Sequence, residues 1–199
     1  RLRSSRGLRK AHERLCARTI ASSREMRQAV IATAGMRFLI GYLVFHLAFA
    51  LRRENLSSIG LGVLLGSAAF GGLAGAVIAP RLRRLLREEG MLLVSLVAGG
   101  VVGLIAGRWF SLIAAGMLVF VFSIASGAAK VAFDSIVQRE LPEGARGWAF
   151  ARFESTLQLA WVGGAAAPLL LPIPGGPGVF AAGIAANVLG LLYLAGRRP

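Results

Sequence analysis

The chain has 199 residues, 56% hydrophobic and 16% charged, with mean hydropathy +0.67 and a formal net charge of +14. So much apolar content with so few charges excludes a disordered tail and an ordinary water-soluble domain. A single cysteine, Cys16, excludes a disulfide scaffold and reads as a reduced thiol.

Residues 1–28 form a basic arm, with nine Arg or Lys against two Glu and no long apolar stretch. A bilayer core needs about 20 mostly apolar residues at about 1.5 Å each, and six later runs approach that length. Residues 29–199 therefore read as an all-α bundle of six transmembrane helices, expected at 29–51, 57–80, 91–107, 109–129, 156–171 and 179–196. Brief connectors predict that consecutive helices pack as antiparallel hairpins.

The first span holds Arg37 about 12 Å below its start. An arginine near a span centre costs about 2.5 to 3.5 kcal/mol. Eleven Leu, Ile, Val and Phe residues share the span and together offset about 5 kcal/mol, so insertion survives. Arg37 either snorkels to the interface or meets an anionic substrate or acidic partner. Phe38, Tyr42 and His46 follow at four-residue steps. This stripe either packs through hydrogen bonds or lines an aqueous cavity, where a histidine near neutrality carries protons.

The second span pairs Gly62 with Gly66 and Gly71 with Gly75, and the third sets Gly99, Gly103 and Gly107 on one face. Small residues so spaced let helix backbones approach closely. The fourth helix should continue beyond the apolar run, because Phe133, Ile136, Val137 and Leu141 keep a helical stripe, and should stop before Pro142. Lys130 and Asp134 lie four apart on it, and Arg152 with Glu154 precede the fifth span. These four are the candidate cytoplasmic gate.

In the fifth span Gly163, Gly164 and Pro168 predict a kink. Gln158 there and Asn187 in the sixth span are lone amides. With Arg37, Tyr42 and His46 they are the candidate substrate-cavity residues. Trp109, Trp148 and Tyr193 fall where interfacial anchors are expected. Divided into two triples, the helices carry their Gly-rich or Pro-interrupted member in second place each time. Interrupted segments at matching places in inverted repeats point to a substrate pathway in secondary transporters.

Short loops rich in Lys and Arg stay cytoplasmic. With the arm inside, that side holds the arm's nine basic residues, four in the 81–90 loop, four between Lys130 and Arg152, and Arg197 with Arg198. The other side holds Arg52, Arg53 and Arg108. Both termini are thus expected in the cytoplasm of a plasma membrane. The charge is accounted for by topology, so nucleic acid is not an expected partner. The arm adds attraction to anionic lipid headgroups.

Enzyme signatures are missing. His12-Glu13 lacks the second histidine of a zinc protease, no Walker-type phosphate loop exists, and Ser126-Gly127 is half of an intramembrane serine-protease site. No cofactor or metal is expected.

The run FDSIVQRELPEGARGWAFARFESTLQLAWVGGAAAPLLL, residues 133–171, resembles the cytoplasmic loop and eleventh helix of a major facilitator superfamily transporter. GGLAGAVIAPRLRRLLREEG, residues 71–90, is similar to the repeat of that superfamily's signature loop between its eighth and ninth helices. The resemblance covers the whole chain, with the arm in place of the central loop, and implies the C-terminal half of a twelve-helix transporter. It further implies alternating access around a cavity shared with an N-terminal six-helix half, for a small-molecule substrate, with protons as a candidate coupling ion. The alternative expectation is a free-standing six-helix channel subunit or scaffold.

Overall fold

The computed structural model describes residues 24–53 and 58–196, which form six α-helices and no strand. They are α1 (Arg24–Arg53), α2 (Ser58–Leu85), α3 (Glu88–Arg108), α4 (Leu112–Glu140), α5 (Glu143–Leu170) and α6 (Gly175–Ala195). All but α5 are long and apolar enough to cross a bilayer. This is the make-up of a multi-pass membrane protein, in which each span satisfies its own backbone hydrogen bonds. Most of the basic arm, with His12 and Cys16, lies outside the described residues, as do Arg197 and Arg198. Residues 24–28, expected as the end of the arm, are already the start of α1.

Helix ends follow local chemistry. The Ser111 hydroxyl caps α4 by accepting from the Ala114 amide at 3.2 Å. The same helix runs on to Glu140, as its apolar stripe predicts, and Pro142 stops it. Besides α1, two helices run well past their expected bounds. α2 passes through Pro80 to Leu85. α5 begins at Glu143 rather than at 156, because Pro142 already has the φ of −64° that a helix start needs. Its first half is amphipathic instead of uniformly apolar: Ala145, Ala149, Phe153 and Leu157 are buried at four-residue steps. Pro168 falls in the last turn of α5, which continues to Leu170.

The expected chain of hairpins is not what forms. The closest packing is between α1 and α5, α2 and α4, and α3 and α6. Among consecutive helices only α3 and α4 pack extensively, while α1 barely meets α2 and α5 does not pack on α6. Glycine is the physical reason. A side-chain carbon on Gly41 would overlap the Trp161 carbonyl, and one on Gly164 the Phe38 carbonyl, so α1 and α5 are in backbone contact. One on Gly71 would sit 2.5 Å from the Phe120 oxygen, and one on Gly103 2.8 Å from the Gly183 Cα. These settle the α2–α4 and α3–α6 pairs.

Contacts also fix direction. Gly116 meets Val63 and Ser67 while Gly127 meets Gly75, so α2 and α4 run parallel. α6 is antiparallel to α3, since Gly107 meets Phe180 and Gly190 meets Leu93. The expected glycine faces divide: Gly99 faces Phe122 of α4 whereas Gly103 and Gly107 face α6, and Gly62 and Gly66 face open space.

The core runs along the bundle axis. Met36, Leu39, Leu43 and Leu47 of α1 meet Leu92 and Leu96 of α3, Leu118 and Phe133 of α4, and Ala182 and Ala186 of α6. α2 lies outermost. Only 17% of its most apolar stretch is buried, against 39% or more in the other four apolar helices.

Gly41→Val and Gly164→Val should each destabilise the detergent-extracted protein by about 1 to 3 kcal/mol, the usual cost of overpacking. Gly62→Ala, facing open space, should leave it unchanged. Thermal unfolding of the three variants checks this.

Candidate functional site

A groove of about 360 Å³ opens between α1, α2 and α4. Ile40 and Val44 line it from α1, Ala68 and Gly72 from α2, and Phe122, Ser123 and Ser126 from α4. It exists because α1 and α2, though consecutive, scarcely touch. Neither serine hydroxyl has a hydrogen-bond partner among the described residues.

Arg37 does not line this groove, but helical geometry sets it on the neighbouring strip of α1. At 3.6 residues per turn, Phe38, Gly41 and Phe45 face α5, Tyr42 and His46 face α6, and Ile40 and Val44 face the groove. Arg37 falls between the α5 strip and the groove strip. It is half-buried, thirteen residues past the start of α1, and makes no hydrogen bond or ion pair among the described residues.

Tyr42 and His46 are held elsewhere. Their rings stack at 5.0 Å, and both are buried against the first turn of α6. His46 Nε2 lies 3.0 Å from the Gly175 carbonyl oxygen, which can only accept, so Nε2 carries the proton. That leaves Nδ1 as an acceptor, 3.4 Å from the Tyr42 hydroxyl, whose single proton is shared between it and the Gly178 carbonyl oxygen at 3.3 Å. The pair ties α1 to α6.

Gln158 is exposed and donates to Glu154 on its own helix at 3.2 Å. Asn187 donates to the Gly183 carbonyl at 2.9 Å, its amide filling the space beside Gly100 of α3. Both amides therefore serve packing or local bonding. The five expected cavity residues do not converge and none of them lines the groove, Arg37 lying on the strip of α1 beside the one that does.

The expected gate is brought together in three of its four members. Lys130 Nζ is 2.7 Å from Asp134 Oδ1 and 3.5 Å from Glu154 Oε2 of α5. Arg152 stands apart, its guanidinium 5.7 Å from the Trp148 ring centre. Lys130 lies one turn beyond Ser126, so the cluster continues the α4 stripe that lines the groove. Besides this tie and the turn between them, α4 and α5 share an edge contact of Phe133 with Phe153 at 5.4 Å. Of the expected interfacial aromatics, Trp109 is exposed, but Tyr193 is buried and faces inward.

A second polar centre was not visible in the sequence. Arg139, in the last turn of α4, reaches Glu25 of α1 at 3.1 Å, Glu88 and Glu89 of α3 at 3.4 and 3.0 Å, and Glu140 at 3.3 Å. Glu88 and Glu89 suit the positive N-terminus of α3, and Arg139 suits the negative C-terminus of α4. Complementary helix ends are the one local signal for it. Among the described residues no group of three or more His, Cys, Asp or Glu is placed to hold a metal.

The chain is 33% identical over 135 residues to an uncharacterized protein of Mycobacterium leprae (strain TN), a match covering 66% of this chain and 23% of that protein. The chain thus spans less than a quarter of the relative's length. No established family and no solved structure matches it.

His46→Leu should destabilise the protein by about 0.5 to 1.5 kcal/mol by removing its hydrogen bond to the Gly175 carbonyl, and His46→Gln should recover part of the loss, both read by thermal unfolding. Arg139→Gln leaves four carboxylates facing one another. Its loss of stability should be greater at low salt than at high salt, because salt screens their repulsion, and Arg139→Lys should fall between it and the parent.

Proposed function

We propose that this chain is one six-helix half of a secondary transporter of the major facilitator type, with both termini cytoplasmic in a bacterial plasma membrane. One observation carries this reading. Exchanging α1, α2 and α3 for α4, α5 and α6 converts the α1–α5 pair into α4–α2, returns α3–α6 and α1–α4 to themselves, and converts α3–α4 into α6–α1. The strong pairs survive this exchange, while the slight α1–α3 and α2–α3 contacts find no counterpart in α4–α6 and α5–α6, and that correspondence supports two three-helix repeats, inverted because each holds an odd number of helices.

Other features fit the same reading. The outlying α2 leaves an apolar surface for an N-terminal six-helix half. The ion pairs gather at the end where α1 starts, the end that the distribution of Lys and Arg assigns to the cytoplasm. There Lys130 joins α4 to α5, which the Phe133–Phe153 contact and the bonds from Arg146 to the Gln138 and Leu141 carbonyls also hold near their turn, and such an ion pair suits a contact that breaks and re-forms as the two halves rock. A small molecule would cross beside Arg37, with protons as the candidate coupling ion.

The test is uptake and efflux by the full-length protein in lipid vesicles, with and without an imposed pH gradient, over a panel of small molecules. Gradient-driven flux is expected, and Arg37→Ala should lower it by about tenfold, the worth of one charge-assisted hydrogen bond, at unchanged protein level. Equal loss of flux and protein would give Arg37 a structural role. No flux of any compound by the folded protein would overturn the transporter reading in favour of a channel subunit or scaffold.

A further inference from the structure

We infer that the groove between α1, α2 and α4 binds an amphiphilic monoanion, its apolar body along Ile40, Val44, Ala68 and Phe122 and its charged head at Arg37 and the hydroxyls of Ser123 and Ser126. The inference rests on the proposed transport reading, of which it names the substrate class.

The argument is one of complementarity at both ends of the groove. Along most of its length the lining is aliphatic or aromatic, so a sugar or amino acid would lose its hydration there with nothing in return. A volume of about 360 Å³ lies near the lower end of small-ligand pockets. One turn before Ile40 on α1, and outside the lining itself, stands Arg37, a half-buried residue within an apolar span with no ion pair among the described residues.

The carboxylates of the described residues are engaged elsewhere. Glu25, Glu88, Glu89 and Glu140 surround Arg139, Asp134 and Glu154 hold Lys130, and Glu143 meets Arg146. An arginine in a low-dielectric setting favours a carboxylate or phosphate matched to its planar fork. Two serine hydroxyls without hydrogen-bond partners among the described residues add donors beside the groove. A neutral apolar ligand would leave all three groups unmet, and a small hydrophilic anion would leave the groove to lipid. An anion with an apolar tail satisfies both.

The opening fits such a ligand as well. α1 and α2 scarcely meet, so the groove is reached sideways through the gap between two spans. A tailed molecule already dissolved in the bilayer needs no aqueous route to it.

The test is equilibrium binding of dodecanoate to the full-length protein in phosphatidylcholine nanodiscs, with dodecanol and acetate as competitors. Saturable binding is expected, with neither competitor displacing it at equal concentration. Arg37→Gln should weaken it by about tenfold or more. Ala68→Phe, which fills the groove from α2 and leaves the charge in place, should weaken it as much. Should Arg37→Gln fail to fold, Arg37→Lys replaces it and should bind with intermediate affinity. Displacement by dodecanol as strong as by dodecanoate itself, or undiminished binding in both Arg37→Gln and Ala68→Phe, would overturn the inference. Dodecanoate binding without gradient-driven flux of any compound would retain the site and remove the transporter. Flux of another compound that dodecanoate does not inhibit would do the reverse.

Discussion

Lipid tails are as apolar as leucine, so burying a leucine gives one membrane helix no reason to prefer another. What distinguishes partners is how closely two backbones can come, since dispersion falls off within a fraction of an ångström of contact. In this bundle that closeness is concentrated at a few glycines. Gly41 with Gly164, Gly71 with Gly75, and Gly103 with Gly183 each bring main chain against main chain, and they lie in the three helix pairs that dominate the packing. The order of helices in space is therefore set by where side chains are absent.

The groove and the polar centres follow from that constraint. With α1 drawn to α5 and α2 drawn to α4, the consecutive pair α1 and α2 is pulled apart, and a lined gap remains between them. Buried polar groups then take up what the packing leaves: His46 and Tyr42 meet carbonyls in the first turn of α6, and Asn187 fills the hollow at Gly100. Charged groups collect where helices end, around Arg139 and Lys130.

Much of the fold was legible because span length and apolar runs are local properties. The continuation of α4 to Pro142 and the Lys130–Asp134 pair could be read for the same reason, since stripes and four-residue spacings need one helix only. Partner choice could not be read. A glycine announces that something approaches closely without saying what, which is why Gly62 and Gly71, alike in sequence, face open space and α4 respectively. The start of α5 was hidden because its first half buries a stripe rather than a run. Arg139 was missed because its partners at positions 25, 88, 89 and 140 are gathered only by the fold. Of the expected site residues, Arg37 lies on the strip of α1 beside the groove-lining one without lining it, whereas Gln158 and Asn187 bond within their own helices.

The amphipathic start of α5 has a bearing on how the protein is made. Segments of a nascent chain move from the translocation channel into lipid one after another, each judged by its own affinity for hydrocarbon. α5 falls short of the others, with Glu154 and Gln158 within its reach of the bilayer. Its strongest surface is the one that docks on α1, a helix synthesised roughly a hundred residues earlier. Biogenesis must then keep α1 near the channel, its α5-facing side uncovered, until α5 emerges.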